Sequence, residues 1–261
     1  MPGKKKNKKC NILLQWFVYY NYKDSMRKIL FSILLIIMGY SASAQKETVL
    51  NYQEVDYKKI HFGFTIGLNT MDFKLTPSMN TYGVDEAMLV PEINNLTPGF
   101  HVAVISSLRL NEYFDLRFLP GISLGQRNIL FYDENNQVDS EMKIESTFID
   151  IPLVLKYKAI RIKNTRPYLV GGLNFRRDMA RNKDFNEDEG VYIKLNPFDI
   201  YYEIGFGFDF YLAYFKLSTE IKYSIGTFNV VSSDKSEDFP QFANAIDQLN
   251  SRMFMVSFHF E

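Results

Sequence analysis

The chain has 261 residues, 30 basic and 30 acidic, and 16% aromatics carried by 23 Phe, 17 Tyr and one Trp. That length suits one domain, with or without a leader, and the aromatic load fits a sheet with a large apolar surface. The only cysteine is Cys10, so the chain beyond residue 44 can form neither a disulfide nor a cysteine metal site.

Residues 26–44, "MRKILFSILLIIMGYSASA", carry a basic head at Arg27 and Lys28, an apolar run from Ile29 to Met38, and a small-x-small ending at Ala42-Ser43-Ala44. This reads as a secretory signal peptide cleaved before Gln45. The run is too short to span ~30 Å of hydrocarbon as a helix. Residues 1–25 stand ahead of a complete signal peptide with its own Met26, and they read as a mis-called upstream extension. Removing residues 1–44 takes away eight Lys/Arg and one acidic residue, leaving 22 basic and 29 acidic. A net charge near −7 gives no electrostatic reason to bind nucleic acid.

Residues 45–58 are polar and unpatterned, and read as a periplasmic N-terminal segment; residues 59–261 then alternate with a period of two, the period of a strand. "KIHFGFTIGLNT" (59–70) sets Phe62, Phe64, Ile66 and Leu68 against His61, Gly63, Thr65 and Gly67. "GFHVAVISSLRL" (99–110) sets Phe100, Val102 and Val104 against His101 and Arg109. "YFDLRFLPGISLGQR" (113–127) sets Phe114, Leu116, Phe118, Ile122 and Leu124 against Asp115, Arg117, Gly121, Gly125 and Arg127. "ESTFIDIPLVLKYK" (145–158) sets Ile149, Ile151, Leu153, Leu155 and Tyr157 against Asp150, Pro152 and Lys156. "RPYLVGGLNFRRD" (166–178) is apolar at both parities and resists phasing. "PFDIYYEIGFGFDFY" (197–211) puts Phe198, Ile200, Tyr202, Ile204, Phe206, Phe208 and Phe210 opposite Asp199, Glu203, Gly205, Gly207 and Asp209. "YFKLSTEIKYSIG" (214–226) sets Phe215, Leu217, Ile221, Tyr223 and Ile225 against Lys216, Glu220 and Lys222. "RMFMVSFHFE" (252–261) sets Phe254, Val256, Phe258 and Phe260 against His259.

These are eight strands, most long enough to cross a membrane when tilted. Connections alternate between short (111–112, 159–165, 211–213) and long and polar (71–97, 128–144, 179–196, 227–250). The pattern predicts an all-β, eight-stranded antiparallel up-and-down transmembrane barrel in the outer membrane, with a polar lumen filled by side chains. A soluble barrel or sandwich alternates too. Its charged face would meet water, however, where glycine is poor in a strand. Here glycines sit among the charges, which suits a crowded lumen. Export and the aromatic last strand point the same way.

Buried charges need partners, so the inward set is expected to form a closed ion-paired network. It comprises Arg109, Asp115, Arg117, Arg127, Glu145, Asp150, Lys156, Asp199, Glu203, Asp209, Lys216, Glu220 and Lys222. Arg176, Lys216 and Lys222 are the first candidates to pair with Glu203. His61 and His259 are expected near one rim as a hydrogen-bonded lumen pair; without a third ligand they make a poor metal site.

The segments "HFGFTIGLNTMDF", "YFDLRFLPGISLGQR", "ESTFIDIPLVLKYK", "RPYLVGGLNFR", "PFDIYYEIGFGFDFYL" and "SFHFE" together resemble PorT-like outer membrane proteins. The resemblance covers nearly all of residues 57–261. It implies an accessory barrel of the Bacteroidetes type IX secretion apparatus, which exports proteins bearing a C-terminal sorting domain and in some members supports gliding. It brings no catalytic residues.

No HExxH or phosphate-cradling loop occurs. "DFNEDEG" (184–190) lacks the spacing of a calcium loop and reads as a solvated loop. Glu145 and Asp150 are five apart, which puts them on opposite faces of a regular strand, so they make no catalytic pair. The expectation is a non-enzymatic barrel without metal or cofactor. Its partners would be outer-membrane lipid and other secretion-system proteins, with neither nucleic acid nor a small-molecule substrate. The alternative is a small barrel acting as an adhesin or a lipid-active enzyme.

Overall fold

A computed structural model describes residues 50–78, 89–94, 96–132, 137–180, 191–232 and 240–261. The readings of residues 1–25, 26–44 and 184–190 lie outside these, as do residues 45–49 of the N-terminal segment. The described strands are β1 (Ile60–Pro77), β2 (Val90–Asn94), β3 (Pro98–Arg109), β4 (Phe114–Phe118), β5 (Gly121–Tyr132), β6 (Val138–Lys158), β7 (Thr165–Asp178), β8 (Phe198–Tyr211), β9 (Lys216–Gly226) and β10 (Ile246–Phe260). All pairings are antiparallel, and the ring closes because β1 pairs with both β10 (Phe64↔Phe260) and β3 (Ile66↔Val102).

β4 and β5 form one stave, broken at Leu119-Pro120. β3 pairs with both pieces, through Ser106↔Phe118 and Ala103↔Gly121. A proline has no N–H for the ladder, and its carbonyl instead accepts from Val104 N at 3.0 Å. β2 pairs only with the far end of β5. The ring therefore has eight staves, an up-and-down barrel. The ends joined by short turns are periplasmic and the opposite ends extracellular.

Alternation decides which side chain meets which environment. On β8, Tyr202 is 60% exposed and Ile204 68%, whereas Glu203 is 3% exposed and Asp209 fully buried. The exposed apolar side chains form the lipid face, and the charged ones turn inward. β7 resolves with even residues inside: Arg166, Tyr168, Val170, Asn174, Arg176 and Asp178 are buried while Leu169, Leu173 and Phe175 are exposed. Glu145 does not join the inward set. Asp150 is buried and Glu145, at odd separation, is exposed on the outer surface.

Four strands run further than the sequence indicates. β1 continues past Thr70 to Pro77, β5 to Tyr132, β6 starts at Val138 and β10 at Ile246. The period of two persists there, but its chemistry inverts. On β1 the outward residues change from Phe62, Phe64, Ile66 and Leu68 to Asp72 and Lys74, and the inward ones from glycine and Thr65 to Met71 and Phe73. β6 likewise turns Glu141, Lys143 and Glu145 outward and Met142 and Ile144 inward. Above the hydrocarbon the outside is water, so the greasy face must turn in. Phe73, Ile129, Phe131, Met142, Ile144 and Leu249 meet Ile193, Leu195, Val230 and the short helix α1 (Pro240–Asn244) in an apolar core. The stretches 71–77, 128–132, 138–144 and 246–250 are thus strand rather than loop.

Candidate functional site in the barrel lumen

The lumen is layered. At the periplasmic mouth, residues 51–57 cross under the staves through a 3₁₀ turn (Gln53–Asp56). Asp56 anchors it: its carboxylate accepts from Arg161 Nη1 at 2.9 Å, Arg166 Nη1 at 3.2 Å and the Tyr211 hydroxyl at 2.9 Å. Arg109, placed by sequence within the lumen network, is half-buried at this rim and donates to the Asp56 carbonyl instead. Arg161 Nη2 also donates to the Asn51 carbonyl at 2.5 Å.

The next layer is ionic. Lys158 Nζ meets Asp115 at 2.5 Å, and Lys156 Nζ donates to both oxygens of Asp209, at 2.7 and 2.8 Å, while lying 3.7 Å from the centre of the Tyr168 ring. Glu261 accepts from Arg117 and from Lys216 at 2.7 Å. Arg117 also faces Glu220 at 3.5 Å, which takes a hydrogen bond from the Tyr168 hydroxyl at 3.1 Å and lies 3.3 Å from His259 Nε2. Higher up, Glu203 lies between two cations, Lys222 Nζ at 2.9 Å and Arg176 Nη2 at 3.1 Å. Arg176 reaches on to Asp150 at 2.5 Å, and Asp150 also accepts from Ser123 and lies 3.7 Å from His101. Asn174 Nδ2 bonds both carboxylates, Glu203 at 2.9 Å and Asp150 at 3.1 Å.

Above this sits Arg127, 3.8 Å from Asp178 and stacked 4.0 Å over Phe73. Arg127 also lies 5.3 Å over Phe148, which packs with Met71, Met253 and Met255. Asp199 joins no ion pair in this ladder. Its Oδ1 accepts from the backbone N–H of Ile200, Thr227 and Phe228 at 2.8, 3.2 and 3.1 Å, tying down the turn after β9.

His61 and His259 are not brought together. His259 stands opposite Thr65, four residues along β1 from His61, and its Nδ1 is bonded to Thr65 Oγ1 at 2.8 Å. Four residues are about 13 Å of strand, so the stagger between the first and last staves separates the rings. Among the described residues no cluster of three His, Asp or Glu side chains has the geometry to hold a metal.

Of the candidates for Glu203, Arg176 and Lys222 contact it and Lys216 goes to Glu261. Sequence reasoning passed over Asp56, Lys158, Arg166, Asp178 and Glu261. Glu261 follows His259 by two and so shares its inward parity, which was a usable signal. Asp56 offered none, because it precedes the periodic region. Close approach of backbone is needed at Gly207, where a Cβ would come within 2.5 Å of the Tyr168 ring and hydroxyl. The glycines of β8 leave room for the large side chains of β7.

The outer membrane protein beta-barrel domain family matches residues 43–232. No curated protein matches the sequence significantly. Among solved structures, Neisserial surface protein A is 10% identical, with 77% of this chain and 98% of that one covered at a TM-score of 0.41. OprG of Pseudomonas aeruginosa is 11% identical, with 76% and 93% covered at 0.44. Ail of Yersinia pestis, the attachment invasion locus protein, is 12% identical, with 78% and 99% covered at 0.36.

Proposed function

The chain belongs to the outer membrane protein beta-barrel domain family, and on that premise we propose that it is a closed, non-enzymatic barrel that assists protein secretion as an accessory of the type IX apparatus. It sits in the outer membrane, with lipid against its apolar wall. The observation that carries the reading is the occupied lumen. Glu203, Asp150, Arg176 and Lys222 fill its middle with paired charges, and the strap at Asp56 crosses its mouth. Such an interior suits a barrel without a passage, and its central carboxylates Glu203 and Asp150 each lie against a cation. What is left for function is the two ends, which suits a component that works by contact. The resemblance of its strand motifs to PorT-like proteins supplies the machine. The test is deletion of the gene and comparison of secreted and periplasmic proteins. Proteins bearing the C-terminal sorting domain should accumulate in the periplasm and return to the medium on complementation. Unchanged export of that cargo would overturn the secretion role.

A further inference from the structure

Three neighbouring staves, β6, β7 and β8, leave a hollow in the lipid face near its periplasmic end. The register sets outward Tyr157, Leu169 and Phe206 in one row. In the next row toward the periplasm Pro167 faces Phe208, and the Ala159 N–H donates to the Pro167 carbonyl at 3.0 Å. Ala159 and Pro167 therefore stand side by side, and neither side chain reaches as far as the rings around them. The result is an apolar groove of about 340 Å³, with Tyr157, Leu169, Phe206 and Phe208 as its walls. No part of the chain covers it: Leu169 is 57% exposed and Phe206 49%. Beyond Leu169 the outer face of β7 drops again at Gly171, where an added Cβ would meet nothing closer than the Glu203 carbonyl oxygen at 3.9 Å. Its cross-strand neighbours Leu155 and Ile204 are exposed on either side. Low points thus follow β7, between taller rows on β6 and β8.

The groove is continuous with the apolar wall that meets the membrane, so what lies against it is the bilayer. Inside a bilayer water does not drive apolar groups together, and packing decides what associates. A hollow left empty forfeits dispersion contacts along its whole lining. An acyl chain can follow the line of β7, because it is narrow, flexible and apolar throughout. Tyr157 on one side and Phe206 and Phe208 on the other confine it there. A stave with evenly tall outward side chains, such as β1 with Phe62, Phe64, Ile66 and Leu68, offers no such walls.

We propose that this groove is a binding site for one acyl chain of a lipid in the periplasmic leaflet. The chain lies over Ala159 and Pro167 and is held longer than the lipid around the rest of the barrel. The ligand class is a two-chain phospholipid, one chain seated and the other in the bulk leaflet. The site rests on the membrane face alone and is independent of the secretion role.

The test uses the full barrel folded in dipalmitoyl phosphatidylethanolamine and then exchanged into mild detergent, with native mass spectrometry counting lipid per barrel. Wild type should keep one lipid. Ala159→Phe and Gly171→Phe each put a ring on the line of the groove. Both changes point into lipid, so both variants should fold by heat-modifiable gel shift. Ala159→Phe should weaken retention at least about tenfold, and Gly171→Phe should weaken it as well. Leu68→Phe, on β1 across the barrel, is the control and should retain lipid as wild type does. A wild-type barrel that keeps no lipid would overturn the proposal. So would retention unchanged by Ala159→Phe or Gly171→Phe, or an equal loss with Leu68→Phe. A dimer that Ala159→Phe dissociates would mean that a second copy of the chain fills the groove, and would overturn it too.

Discussion

Glu203 has two cations, Arg176 and Lys222, within 3.1 Å and is 3% exposed. Truncating it to Leu leaves both without their shared anion in a buried layer, a loss of about 3–5 kcal/mol for a buried pair. Its neighbour Tyr202 points the other way, 60% exposed on the lipid face. Tyr202→Lys places a charge in hydrocarbon at about 2–4 kcal/mol near the midplane. The folded fraction in detergent or lipid, read by heat-modifiable gel shift, should fall for both variants. A Glu203→Leu protein that folds like wild type would remove the basis for the inward network. At this scale the sequence was legible wherever one parity was polar, as on β8. It was not legible on β7, because Leu169 faces lipid while Val170 packs inside with Ile105, Val154 and Tyr168. An apolar patch within the lumen erases the contrast that alternation depends on. Asp199 shows the other limit: parity placed it inward, but only the folded chain shows that it binds a turn rather than a cation.

Strand ends were harder to read than strand centres for one reason. β1, β5, β6 and β10 pass from lipid into water, and their apolar face changes sides at that boundary. The alternation of the sequence breaks there as it would at a loop, while the backbone continues unchanged. The N-terminal strap was invisible for a different reason: it has no period and is held by the Asp56 carboxylate together with hydrogen bonds at Asn51 and at the Asp56 carbonyl. Asp56 accepts from two arginines and a tyrosine at a partly exposed rim. Hydrogen bonds to charged groups are worth about 1.5–3 kcal/mol. Asp56→Ala should therefore raise protease cleavage within residues 50–58 at least about tenfold, while the gel-shifted folded band persists. Loss of that band along with the strap would show that residues 50–58 are part of the barrel's folding unit, against this reading. Gly207→Leu, by contrast, acts inside the wall. It forces Tyr168 off Lys156 and Glu220 and should reduce the folded fraction.

In the barrel as a whole, three levels are expected to stop ions. The strap spans the mouth, the Glu203–Arg176–Asp150 layer fills the middle, and the apolar core with Phe131, Phe242 and Leu249 caps the extracellular half. An eight-stranded ring is only wide enough to be filled by side chains, and here the filling is both charged and greasy in turn. Removing one level leaves two. Purified protein in planar bilayers should thus give no stable conductance, and a variant lacking residues 45–58 should behave the same, since the middle layer does not depend on the strap. The two measurements together separate the levels. Steady nanosiemens-scale steps from the wild-type protein would mean that the ionic layer opens, and the closed-barrel reading would fall. Steps from the shortened chain alone would assign the seal to the strap and leave the charge layer permeable. Silence from both, with the folded band intact, is the outcome that an interior filled at every level requires.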